Sequence, residues 1–502
     1  MLLKNEKVRN NIRLAYMCFI MVYMAVREVT PLQFLIDNIL VSAAVFAVGF
    51  ALILWDLLTD RRCLSGKGID LLVLFLVICG VSSLLNIKYG IGGNVKAIGA
   101  LVLQYFLFFA CGTGRSDEDK KRELTALSRT ICIVWGLFAA ISIHMYVFNV
   151  EYVVIGGSWG IATQGFSTEY QRLWGIFQDP NYASFISIAT IFASIYLMMA
   201  RKKVVSYILG ALSIVVQLSY IVLAGSRAAR IFLLASSLLL GVYWFVTTSG
   251  KNIKKILLGA VATVLCFVVT VAAFTAFKYA LPMYKNALRD MTSDGVQYVA
   301  EAYDYFYKVG QVPMYGEQVT PNDPEDPDDP DEPGAGIIDR TDLDKEDPSN
   351  GRFKRWKHTV QIFLKSPIYG TSPRNVAAFA EEHAPDTLMA LYGIAPHNGY
   401  LDVLVGTGAL GMLTLLSFLV WMVVIIVKKM FRSPRNLIFA FSAATVFVFA
   451  GAAALISDVY MVFTLGSVFF WTLMGYAVNE EKNERESLIL KLFNSIFCKK
   501  KA

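Results

Sequence analysis

Residues 398–429 read NGYLDVLVGTGALGMLTLLSFLVWMVVIIVKK, and they decide what kind of molecule this is. The run is almost wholly apolar and ends in Lys428 and Lys429. An α-helix of roughly 20 apolar residues crosses the ~30 Å hydrocarbon core of a bilayer, and lysines just beyond it stay in water. The stretch therefore predicts a transmembrane helix over 398–427.

The rest of the chain repeats the pattern. Of 502 residues, 56% are hydrophobic and 17% charged, where a soluble globule carries roughly a quarter charged residues. Spans are expected near 14–27, 35–57, 69–87, 94–112, 130–149, 182–200, 204–224, 228–247, 255–277, 398–427, 437–457 and 460–478. The stretch Leu14 to Val26 is followed at once by another, so it reads as a span and not a cleaved leader. The fold class is thus an all-α polytopic membrane protein of about 12 transmembrane helices. Its expected organisation is nine spans in 1–277, one large loop over 278–397, three spans in 398–479 and a basic tail at 480–502.

Charge in the short loops orients these spans. Arg61, Arg62 and Lys67, the group Arg115, Lys120, Lys121, Arg122 and Arg129, then Arg201 to Lys203, Lys251, Lys254, Lys255, Lys428, Lys429, Arg432 and Arg435 all fall on one side. The other side holds Arg27, Lys88, Lys96, Arg172, Arg227 and Arg230. Basic loops stay in the cytoplasm, which places both termini inside and the large loop outside. The net charge of +7 is thereby explained without nucleic acid. Leu488 to Ala502 (LILKLFNSIFCKKKA) reads as a basic amphipathic helix on the anionic inner leaflet. Cys18, Cys79, Cys111, Cys132 and Cys266 fall in spans, and Cys63 and Cys498 on the cytoplasmic side, so no disulfide is expected in the large loop.

Within that loop, residues 317–347 form an acidic, proline-rich insert. Between Pro321 and Pro333 (PNDPEDPDDPDEP) proline recurs every third residue, the period of polyproline II. Carboxylates suit calcium, but the segment lacks a glycine turn to wrap them round one ion, so it reads as a spacer. After it, Gly351 to Leu364 (GRFKRWKHTVQIFL) sets Phe353, Trp356, Val360 and Phe363 at helical spacing. This predicts an amphipathic helix on the outer membrane surface, either a basic anchor or a place where Arg352 and Arg355 meet an anionic headgroup.

Other polar residues sit at span ends on the same side. Arg227 and Arg230 (AGSRAAR, 224–230) start the eighth span, where positive charge opposes the helix dipole and an anion would relieve it. Snorkelling to lipid headgroups is the alternative. In RLWGIFQDPNY (172–182), Asp179 before Pro180 is a standard helix start, and Asn181 follows it. Arg172 either braces that loop or binds an anion. Of the four histidines, His144 reads as structural, His358 belongs to the amphipathic helix and His383 to a loop. His397, beside Asn398 at the junction of loop and span, could accept a proton from a hydroxyl nucleophile. A lone interfacial histidine is otherwise structural.

Taken in order, RLWGIFQDPN, GSRAA, GR with its following tryptophan and SPIYG, and HNGYLDVLVGTGALG resemble the O-antigen ligase and O-antigen polymerase family, membrane glycosyltransferases of bacterial surface polysaccharides. The motifs cover about residues 165 to 425, and the span count and loop position extend the resemblance to the whole chain. The chain departs from the family at Ala228, where glycine is frequent, at Gly406-Thr407, where an acid is common, and at Gly370-Thr371-Ser372, in place of Gly-x-Gly.

The resemblance implies a glycosyltransferase-C-like fold and an inverting, metal-independent transfer, with no cofactor, on the outer face of the cytoplasmic membrane. The donor would be a glycan on undecaprenyl diphosphate and the acceptor a glycan or lipid-glycan, in capsule, exopolysaccharide or O-antigen synthesis. Membrane lipids and other polysaccharide assembly proteins are the further partners implied. It makes His397, Arg352 and Arg227 the catalytic candidates, and Arg172, Arg230, Arg355, Asp179, Asn181 and Asn398 the substrate-binding ones. On residues alone a flippase for the lipid-linked sugar, or a non-enzymatic envelope scaffold, stays open.

If the acidic run is a spacer, deleting Pro321 to Pro333 leaves glycan transfer within about twofold of the full chain, because a flexible loop's closure entropy changes only slowly with its length. Loss of product formation by the deletion variant would show that the run takes part.

Overall fold

The computed structural model describes residues 6–36, 38–155, 161–249, 253–291, 296–310, 312, 349, 351–432, 436–456, 459–480 and 487–497. The acidic insert at 317–347 lies outside them.

Helices occupy each expected span. They are α1 (Glu6–Arg27), α2 (Ile39–Leu58), α3 (Ile69–Leu85), α4 (Gly92–Leu103, continuing as tighter and looser turns to Gly112), α5 (Asp117–Val147), α6 (Pro180–Arg201), α7 (Val204–Leu223), α8 (Arg227–Ser249) and α9 (Ile253–Met291). Beyond the large loop come α14 (Gly399–Arg432), α15 (Leu437–Ala452) and α16 (Leu465–Val478). Seven helices among the described residues are long and apolar enough to cross a bilayer, and three shorter apolar ones accompany them. This is an α-helical integral membrane protein.

Packing sorts the helices by depth. All 14 residues of α16 are buried, whereas Leu257 and Leu258 of α9 are 69% and 70% exposed. In water such exposure would be unfavourable, but against lipid tails it satisfies an apolar surface. α16 reaches the centre because small residues let backbones touch. A Cβ on Gly475 would stand 2.1 Å from the Phe109 carbonyl oxygen, and one on Gly112 would stand 2.3 Å from that of Gly475.

The 39 residues of α9 amount to nearly 60 Å, about twice the hydrocarbon thickness. The helix therefore runs past the expected span end at 277, through Pro282, to Met291. There Lys285 lies over the rings of Tyr146 and Phe166, at 4.8 and 5.0 Å. Four further helices belong to the large loop: α10 (Val296–Val309), α11 (Arg352–Phe363), α12 (Val376–His383) and the short α13 (Leu388–Tyr392). At the opposite end of the bundle, α17 (Leu488–Phe497) starts against Asp70, whose carboxylate accepts from the amides of Leu488 and Ile489.

The expectation of helices alone needs one correction. Between α5 and α6 the chain forms a three-stranded antiparallel sheet, β1 (Glu151–Ile155), β2 (Ile161–Ser167) and β3 (Arg172–Gly175). Tyr152 and Val154 alternate inward along β1, and Tyr152 meets Tyr307 of α10 with ring centroids 4.6 Å apart. The sheet thus carries the chain across the end of the bundle and sets Arg172 at the start of β3.

A second departure lies within α14. At Gly408 the backbone turns to φ 67° and ψ −170°, which breaks the helix. The freed groups are bonded by loop residues 366–372. Val405 O accepts from the Thr371 amide at 2.9 Å, and the amides of Ala409 and Leu410 donate to the carbonyls of Pro367 and Ile368 at 2.8 and 3.3 Å. Non-helical backbone inside a bilayer is tolerated where protein satisfies it in this way.

Placing a methyl group at Gly475 forces α16 away from the Phe109 backbone, so Gly475→Ala is expected to lose about 1–3 kcal/mol of stability. In thermal unfolding of the detergent-solubilised protein its Tm falls. Gly136→Ala, where nothing lies within 4 Å of the added carbon, does not lower it.

Candidate functional site

Four helix starts meet at the loop-bearing end of the bundle. Asp179 begins α6: its side chain accepts from the Asn181 amide at 2.8 Å, and Pro180 occupies the first helical position. The expected capping role is present. Arg172, buried to 6% exposure, donates through Nε to the Ala224 carbonyl (3.0 Å) and through Nη2 to Asn181 Oδ1 (3.1 Å), and it lies over the Trp174 ring. Of its two expected roles, this geometry is the brace. It ties the start of α6 to the turn that leads into α8.

Arg227 is the first residue of α8 and is exposed. Arg230, one turn on, is directed elsewhere: its guanidinium carbon is 4.8 Å from the centroid of Phe274 in α9. That contact is the cation–π counterpart of snorkelling.

α11 begins with Arg352 and carries Arg355 one turn later, both half-buried. The helix faces two ways. Thr359 and Ile362 are buried, Ile362 in a small core with Phe379 and Val405, while Phe353 (64% exposed) and Val360 (39%) form an outward apolar stripe. The outward stripe fits the expected membrane-surface helix, although Trp356 turns inward and donates its indole N–H to the Pro396 carbonyl at 3.1 Å.

That bond holds α11 to the residue before His397. Asn398 Oδ1 accepts from the amides of Tyr400 and Leu401 at 3.0 and 3.2 Å, so its side-chain oxygen caps α14. The Gly399 amide points to the carbonyls of Ala453 and Ile456. Between these anchors His397 takes φ 49°, the left-handed region that side chains other than glycine seldom enter. Such conformations persist where the surroundings impose them, and they cluster at functional sites.

The electrostatics of His397 record its neighbours. Its pKa is lowered from the usual 6.5, first by burial and then by Arg355, with Asp179 opposing and Arg352 adding to the decrease. Arg355 is itself lowered by burial and by Arg352. A lowered histidine stays neutral, and able to accept a proton, below pH 6.5. The sign for stability follows. Below 6.5 the unfolded chain binds a proton that the folded chain resists, so stability falls as pH drops through that range.

Several residues with defined roles were not among the expected site residues. His358 Nδ1 accepts from the Leu388 amide at 2.9 Å and so caps α13, while His144 Nδ1 pairs with the Tyr303 hydroxyl at 3.0 Å. Ser82 and Asn86 at the end of α3 contact the loop: Asn86 Nδ2 donates to Gly370 O at 3.1 Å. The only sequence signal for the last pair was polarity, SS and N within the apolar run LLVLFLVICGVSSLLN (71–86).

Residues 212–416 match the family model described as O-antigen ligase. The match takes in Arg227, Arg352, Arg355 and His397 and leaves Arg172, Asp179 and Asn181 before its start. No curated protein matches the chain.

Removing the cation that lowers it most, as in Arg355→Gln, is expected to raise the His397 pKa towards 6.5. The measurement is the pH dependence of diethyl pyrocarbonate modification at His397, read by mass spectrometry. A midpoint that stays put or falls would show that Arg355 does not act on it.

Proposed function

We propose, from the match of residues 212–416 to the O-antigen ligase family model, that the protein is an inverting membrane glycosyltransferase. It acts on the outer face of the cytoplasmic membrane with a glycan on undecaprenyl diphosphate as donor. The observation that carries this reading is a half-buried histidine, its pKa lowered, held in the left-handed region beside the charges of Arg355 and Arg352.

In the proposed step His397 takes the proton of an acceptor hydroxyl. The acceptor oxygen attacks the anomeric carbon and forms the new glycosidic bond. The bond from that carbon to the diphosphate oxygen breaks with its electron pair, and the configuration inverts. Arg352 and Arg227 stabilise the charge that builds on the departing diphosphate, which fixed guanidinium groups can do without a metal. Burial and then Arg355 lower the His397 pKa, which favours its unprotonated form, and Arg172 holds the α6 and α8 starts in place. Orientation follows from the basic loops, which put both termini in the cytoplasm and His397 outside. We favour a polymerase, whose acceptor is another lipid-linked repeat, over a ligase, because polymerases of this kind serve many capsules and exopolysaccharides.

The broken α14 is a feature shared with transporters, in which half-helix ends face a cavity and bind ions. Here the amides and carbonyls freed at the break bond to residues 366–372, so the break is closed by protein. That favours the transferase.

Purified protein in proteoliposomes, given a defined undecaprenyl-diphosphate oligosaccharide, is expected to lengthen the glycan and release diphosphate. His397→Ala and Arg352→Ala should each lower turnover by roughly 10²-fold or more. Full activity in both variants overturns the assignment, and movement of the lipid across the bilayer without glycan growth favours a flippase.

A further inference from the structure

We propose that Ser82, in the last turn of α3 and outside the reacting groups, is a positioning residue that helps set His397 against the arginines of α11. The inference rests on the reading of His397 as general base.

Ser82 is fully buried. Its hydroxyl donates to the Gly406 carbonyl at 3.1 Å and accepts from the Ser372 amide at 3.0 Å. A hydroxyl has one donor and two lone pairs, so it can serve both partners at once. Serine inside a helix ordinarily bonds back to its own i−4 carbonyl, as the adjacent Ser83 does to Cys79 O at 2.7 Å. Ser82 instead bridges two other segments, the break in α14 and the loop that fills it.

Those segments lead to the two halves of the site. Loop residues 366–372 follow directly on α11, which carries Arg352 and Arg355. Val405, which receives the Thr371 amide, packs in the same small core as Ile362 of α11. In the other direction, Gly399 to Thr407 form a short rigid helix of about 13 Å with His397 at its far end. A displacement at the break therefore moves the histidine relative to the arginines.

The join has no slack. Ser372 takes φ 74°, and its amide is the one that Ser82 receives. A Cβ on Gly370 would stand 2.5 Å from the amide nitrogens of Thr407 and Gly408, and one on Gly408 would stand 2.2 Å from Ile368 O. The Thr371 hydroxyl crosses the join to the Val405 carbonyl at 3.2 Å, and the Ser82 hydroxyl, from a third segment, bonds to both of its strands.

The test compares Ser82→Ala with Ser83→Ala, two neighbouring buried serines of which only one bridges. In the full chain, the pH midpoint of diethyl pyrocarbonate modification at His397 is expected to rise towards 6.5 in Ser82→Ala and to stay at the wild-type value in Ser83→Ala. His144, elsewhere in the bundle, is the internal control and does not shift. Ser82→Thr, which keeps the hydroxyl, restores the wild-type midpoint. Should Ser82→Ala fail to fold, Ser82→Cys, a weaker donor, gives a smaller shift in the same direction. Turnover in Ser82→Ala falls roughly 10- to 100-fold with KM little changed, as expected for misplacement of a catalytic group by up to about 1 Å. An unmoved His397 midpoint in Ser82→Ala, or an equal shift in Ser83→Ala, overturns the proposal. Wild-type protein that does not lengthen the glycan would refute the transferase reading, while the titration still decides the role of Ser82.

Discussion

Backbone amides and carbonyls cannot be left unbonded in hydrocarbon, and in α14 that constraint binds the large loop to the bundle. The helix breaks at Gly408, and the groups it frees are bonded by residues 366–372. The loop is thereby hydrogen-bonded into a transmembrane helix. α11 precedes this segment directly, so its arginines inherit a fixed position, and His397 inherits another at the far end of the short helix above the break. Two stretches at which the chain departs from the family pattern, Gly370-Thr371-Ser372 and Gly406-Thr407, prove to be the two sides of this contact.

The second organising element is the set of helix starts. Asp179, Arg227, Arg352 and His397 each open a helix or immediately precede its cap. Helix N-termini present unpaired amides and partial positive charge, and basic residues there add to it. Such a place favours anions in general, which is the basis for proposing a diphosphate there. Side-chain bonds hold the starts in register. Arg172 links α6 to the turn before α8, and Trp356 links α11 to Pro396. Burial, and after it the charge of Arg355 and Arg352, lowers the pKa of His397, so in the proposed mechanism the groups that hold the anion also favour the unprotonated base.

The spans were legible in the sequence because the bilayer imposes one rule on every segment that crosses it, a long apolar run with polar ends. Each expected span lies on a helix, and the N-cap at Asp179 was readable from its neighbour Pro180. The sheet at 151–175 was less visible: EYVVI is a short strand-like run with alternating burial, and among strongly apolar helices it read as loop. Residues 398–429 show the division most clearly. Apolarity and the terminal lysines determined by themselves that this stretch is a membrane helix, since that depends only on transfer of side chains from water to lipid. That the helix breaks at Gly408, and that Ser82, some 320 residues earlier in the chain, donates to the Gly406 carbonyl beside the break, was decided by tertiary structure alone. Which partner satisfies a freed carbonyl depends on what packs beside it, and no local pattern of residues encodes that neighbour.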